Sequence, residues 1–270
     1  MNAQEYADRQ AGITRALIAL VLQLVGIFRA PKLSRRDWGN LLAALYPHVD
    51  DARRQAAELG REFFDSQREQ HLPDLPRHNT LLPAYHPEWF AEAMEPARLA
   101  LSRPGAPEEA AAQVALRAAK EVENGGRRAI LRAVDADPVV RGWARVATGR
   151  ETCGWCMMLV SRGPVYTSAD AAGLDLNDTS AAELWQKAES GDLESRDVID
   201  ELMTRWHPGC DCKVVPVFKI SDWPGRDAWK RAEDAWKKYT KGYGGLDALN
   251  AFRRAVESGE LDVRDFSIAA

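Results

Sequence analysis

Apolar residues crowd almost every position from Ala16 to Phe28 (ALIALVLQLVGIF), and the spacing predicts a helix over Arg15–Phe28, buried on all sides. Pro31 ends it. Ser34 then serves as an N-cap with Asp37 in the first turn of a second helix. There, Trp38, Leu41, Leu42, Leu45, Val49, Ala52, Ala56, Leu59, Phe63 and Phe64 recur at three- and four-residue steps, which carries the helix to about Gln70. Pro47 lies inside this pattern and predicts a break or kink, because proline lacks an amide donor and clashes with the preceding turn. The proline-rich HLPDLPRHNTLLPAY reads as a loop, and Pro87–Leu101 returns to helical spacing. After the loop SRPGAP, Pro107, Glu108 and Glu109 suit a helix start. The alanine-rich stretch beyond them is expected to stay helical towards Ala144, broken at Asn124-Gly125-Gly126.

Near Ala147 the pattern changes. GPVYTS (163–168) and CKVVPVF (212–218) alternate or cluster β-branched residues as strands do, with a short helix expected over Ser180–Ala188. DAWKRAEDAWKKY then forms an amphipathic helix with Trp229 and Trp236 on one face. GYGG (242–245) is a turn, and LDALNAFRRAVESG is the last helix. The expected fold is therefore mainly α, with a small α+β module braced by a metal. Its parts are a helical region over 1–145, the braced module over 146–220 with short strands around its cysteines, and two C-terminal helices over 221–270.

All four cysteines fall in that module: Cys153 and Cys156 in CGWC, and Cys210 and Cys212 in WHPGCDC, which also carries His207. A CxxC alone fits a redox dithiol, but that chemistry needs a thioredoxin-type βαβ setting and has no use for the second cluster. Together the two clusters supply five donors for the four places of a tetrahedral zinc ion. A turn aims both sulfurs of CxxC at one point, and alternate residues of an extended CxC share a face. A closed set of four ligands holds a fold together and leaves no coordination place for a reacting water. One structural zinc per chain is expected, held by four of Cys153, Cys156, His207, Cys210 and Cys212. An all-cysteine set and a set of three cysteines with His207 both remain open, as do unmetallated thiols, a redox pair and a catalytic metal.

Composition narrows the class further. The chain has 270 residues with a net charge of −4, so bulk attraction to nucleic acid is not expected. Arg127, Arg128, Arg132, Arg141, Arg145 and Arg150 form a local basic stretch, read first as a solvated helix face and second as a phosphate-contacting surface. The polar opening MNAQEYADRQ has no basic segment, so no signal peptide is expected, and the sparse cysteines suit a reducing compartment. The apolar run of 13 residues falls short of the roughly 20 that cross a membrane. Ser161, Ser168, Asp170 and His207 can be assembled into a triad on paper, but no GxSxG-like elbow accompanies them. No phosphate-binding glycine loop occurs.

The segment RVATGRETCGWCMMLVSRGPVYTSADAAG, followed by WHPGCDCKVVPVF, resembles the minor head proteins of tailed bacteriophages similar to the F protein of phage Mu, in the version found in phages of actinobacteria. The resemblance covers about a quarter of the chain, from Arg145 to Phe218, and rests on the ordered cysteines and histidine with their RGPVYTS and VVPVF flanks. It implies a low-copy structural protein of the virion, at the head interior or portal vertex, present in the host cytoplasm during assembly. Portal and major capsid proteins would be its partners, the apolar and tryptophan-bearing helices its attachment surfaces, and an oligomer its state in the particle. No membrane partner is expected. Some relatives of that group are described as capsid-maturation proteases, so a peptidase is the alternative reading, although no catalytic residue is carried over here. A DNA-binding accessory role through Arg127, Arg128 and Arg132 is the third.

Overall fold

The computed structural model describes residues 1–27, 34–77, 84–101, 107–148, 152–164, 187, 190, 192, 206–210 and 212–268. Among them are seven α-helices, one two-stranded sheet and a closing 3-10 turn: a mainly helical protein. The order is α1 (Ala3–Ile27), α2 (Arg35–His71), α3 (Pro87–Leu101), α4 (Pro107–Ala136), β1 (Gly142–Val146), α5 (Gly154–Ser161), β2 (Lys213–Val217), α6 (Arg226–Tyr239), α7 (Gly245–Glu257) and the 3-10 turn Val263–Phe266. The expected strand GPVYTS beyond Pro164, the expected helix over 180–188 apart from Lys187, and the break at Pro31 lie outside the described residues.

The chain divides into two compact units. The first comprises Met1–Ser66 and Leu75–Ala133 with the turn His207–Gly209; the second comprises Gln67–Asp74, Val134–Trp206 and Cys210–Ala270.

In the first unit, α1 starts twelve residues earlier than the apolar run suggests, because Asn2 caps it: the Glu5 amide donates to Asn2 Oδ1 at 2.8 Å. The helix is not buried all round. Leu17, Val21 and Val25 face the core, whereas Leu22 and Ile27 are 44% and 75% exposed. The 13-residue run is thus part of a 25-residue helix, which is long and apolar enough to cross a membrane by length and composition.

Ser34 caps α2 as expected, its Oγ accepting from the Asp37 amide at 3.1 Å. Ser34→Ala is expected to cost about 1 kcal/mol, read as a lower urea midpoint at an unchanged slope. Every stripe residue from Trp38 to Phe64 except Leu42 is buried, and Leu42 packs partly buried at the edge of the same core. The helix runs through Pro47 as one element, so of the expected break or kink the break is absent. Leu45 and Val49 on either side are fully buried, and that burial holds the helix where proline removes one bond.

The expected break at Asn124-Gly125-Gly126 is absent too, for a tertiary reason. A Cβ at Gly125 would lie 2.5 Å from the Arg53 carbonyl oxygen, and one at Gly126 would lie 2.9 Å from that of Ala56. A Cβ at Gly60 would meet the Gly126 carbonyl oxygen at 2.6 Å. These glycines form a seam that lets the backbones of α2 and α4 touch, so they serve packing rather than a turn. Phe90, Met94 and Ala97 of α3 and Val114, Ala118 and Val122 of α4 complete this core.

In the second unit, α4 ends at Ala136 rather than near Ala144 because Pro138 cannot continue it. The chain then becomes β1, antiparallel to β2 with Gly142 opposite Val217 and Val146 opposite Lys213. Arg68 Nε meets Asp137 Oδ2 at 2.6 Å, a buried ion pair beside this corner. The apolar α5 is the centre of the unit: Met157, Met158, Leu159 and Val160 are all buried against Ala232 and Ala235 of α6, Phe252 and Ala255 of α7, and Phe266.

A candidate metal centre

The start of α5 makes the first half of the site. Cys153 is the N-cap in extended conformation, and its Sγ accepts from the Cys156 amide at 3.4 Å, the role a serine oxygen commonly takes. Cys156, three residues on, points from the same helix end. Trp155 between them packs against the apolar core, so the middle of CGWC serves packing.

The second half is the chain entering β2. Gly209, at φ +80°, turns it in a conformation that favours glycine, and Cys210 and Cys212 follow just before Lys213. Because Lys213 pairs with Val146, the sheet register brings this cysteine pair to the end of β1 that leads into α5.

The sulfurs converge on Cys156. Its Sγ lies 3.3 Å from that of Cys210, and its thiol hydrogen-bonds with Cys153, Cys210 and Cys212. Cys156, Cys210 and Cys212 are buried, Cys153 is half-buried, and no disulfide joins any of the four. The Cys156 thiol is held well above the ordinary thiol range, first by its hydrogen bond with Cys153, then by those with Cys210 and Cys212, then by burial. Sulfurs packed this closely resist accumulating negative charge unless a cation sits among them, which is the electrostatic condition of a thiolate metal site. Cys156, Cys210 and Cys212 meet the spacing a single ion needs, with donor atoms within 4.8 Å of one another. His207 itself is exposed, with Nδ1 2.9 Å from the carbonyl oxygen of Pro208.

Other residues singled out by sequence fare differently. Arg127 is buried and paired with Glu123 at 2.7 Å, so its guanidinium is engaged inside the first unit. Arg145 is buried in β1, its guanidinium 4.4 Å above the Trp206 ring. Arg128, Arg132 and Arg141 are exposed, and Arg150 lies outside the described residues. The expected solvated basic face therefore loses two of its six members to interior packing. Trp229 donates its indole N–H to the Ser161 carbonyl at 3.2 Å, and Trp236 packs on Phe252 at 5.1 Å. Both tryptophans are thus engaged within their own unit. Ser161 spends its hydroxyl on the Met158 carbonyl at 2.7 Å, while Ser168 and Asp170 lie outside the described residues.

Sequence reasoning missed β1 and the buried Arg145–Trp206 stack. The signal for the strand was there in Pro138 and Gly142, which bracket an end of helix and a new start.

Comparison with known proteins gives a consistent picture. Residues 1–239 match the model of the family described as VG15 protein. The chain is similar to the Gene 15 protein of Mycobacterium phage L5, 43% identical with the whole of both chains covered. It is also 43% identical to the Gene 15 protein of Mycobacterium phage D29, covering 96% of this chain and all of that protein. No solved structure matches.

Proposed function

This chain belongs to the VG15 protein family, a family of phage proteins, and on that premise we propose that it is a structural minor head protein of a tailed phage, braced by one zinc ion. The observation that carries the zinc brace is the gathering of the Cys153, Cys210 and Cys212 sulfurs around Cys156. Zinc bound at about 2.3 Å to each of four sulfurs sets them about 3.8 Å apart. The 3.3 Å separation of Cys156 and Cys210, with the Cys212 sulfur within 4.8 Å of both, is close enough for one ion to draw the three to that spacing. Cys153, Cys156, Cys210 and Cys212 would hold the ion, with His207 as the alternative fourth donor. Zinc would supply a cross-link between the start of α5 and the start of β2, and a closed sulfur set leaves no place for a catalytic water.

The head assignment rests on the resemblance of the same segment to the minor head proteins similar to the F protein of phage Mu, together with family membership. Its location is then the head interior or portal vertex, with portal or major capsid protein as partner. Purified protein is expected to contain one zinc per chain by elemental analysis. Crosslinking of purified particles is expected to recover this chain joined to portal or inner capsid protein. Its absence from particles that are otherwise complete would sink the head assignment without touching the zinc brace.

A further inference from the structure

Resting on the reading that the four sulfurs share one zinc ion, we propose that the site has a defined oxidised form, in which loss of the ion lets Cys156 and Cys210 close into a disulfide. The two sulfurs are 3.3 Å apart, both buried, and one lies in α5 and the other just ahead of β2, 54 positions along the chain. A disulfide bond is about 2.05 Å long, so a side-chain movement of about 1.2 Å suffices.

Cys153 is the entry point, because it alone of the four is not fully buried. Its thiolate attacks hydrogen peroxide, taking one oxygen to become a sulfenic acid while the other leaves as water. The Cys156 sulfur then displaces the sulfenic hydroxyl, its own proton leaving with that hydroxyl as a second water, and a Cys153–Cys156 disulfide forms. Finally the Cys210 thiolate attacks Cys156 Sγ, and Cys153 departs as thiolate. Its sulfur accepts the Cys156 amide, which stabilises that departing charge. Two thiols and one peroxide thus become one disulfide and two waters. Cys153 returns to its reduced state and Cys212 takes no part.

The test begins with zinc content of the untreated full chain, since absence of zinc overturns the zinc reading independently of any cross-link. The protein is then stripped with a chelator, treated with hydrogen peroxide, alkylated, digested and mapped by mass spectrometry. The expected end product joins Cys156 to Cys210 with Cys153 and Cys212 alkylated, and it migrates faster on a non-reducing gel. Zinc-loaded protein should form it at least about tenfold more slowly. A stable Cys153–Cys156, Cys210–Cys212 or intermolecular disulfide as end product overturns the inference even where zinc is found. Cys210→Ser should stall at the Cys153–Cys156 disulfide, and a Cys210→Ser chain that forms no such bond overturns the relay.

Discussion

Cys156→Ser is expected to abolish zinc binding and melt the second unit. Cys156 is the sulfur around which the other three gather, and it lies in the first turn of the helix whose four buried residues centre that unit's core. A structural zinc contributes on the order of 10 kcal/mol to folding, comparable with the whole net stability of a typical domain, about 5–15 kcal/mol. Serine keeps the size and offers a hydroxyl, but it is a poor ligand for a borderline-soft cation. Amide hydrogen exchange should show protection lost in β1, α5, β2, α6 and α7, while α1 and α3 keep theirs. A variant that keeps one zinc and wild-type protection in α5 would show that Cys156 is not a ligand.

The second large effect belongs to the glycine seam. Gly125→Ala adds one methyl group where the Arg53 carbonyl oxygen stands 2.5 Å away, and backbone cannot yield as a side-chain tip does. The α2–α4 contact must open, at a cost of about 3 kcal/mol or more. Gly39→Ala supplies the opposite sign in a neighbouring setting. That glycine is helical with nothing within 4 Å of an added Cβ, so alanine should stabilise by up to about 1 kcal/mol. Urea unfolding of both variants decides the matter. If Gly125→Ala is as stable as wild type, the close approach of the two helices is wrong.

These two sites differ in how far they could be read from the chain alone. The sulfur site was legible because ligand chemistry is carried by residue type: four cysteines in two short clusters suit few purposes. The α2 stripe was legible for a similar reason, since a helix that buries one face must repeat its apolar residues at three- and four-residue steps. Ser34 was readable because a cap acts within four residues of itself.

The errors share one origin. Gly125-Gly126 and Pro47 look like breaks, and as isolated segments they would be. Contacts with residues far away in the chain reverse the local preference, through the carbonyls of Arg53 and Ala56 in one case and the buried Leu45 and Val49 in the other. Arg127 and Arg145 look like surface charges until Glu123 and Trp206 claim them.

The sequence by itself determined the donor chemistry, the helical class and the apolar faces, because each depends on residue type or on short-range spacing. Only the tertiary structure decided which glycines pack and which turn, which arginines reach solvent, and that the second cysteine pair meets the first. The last of these depends on the register of β1 with β2, a pairing of segments about seventy residues apart that no local pattern encodes.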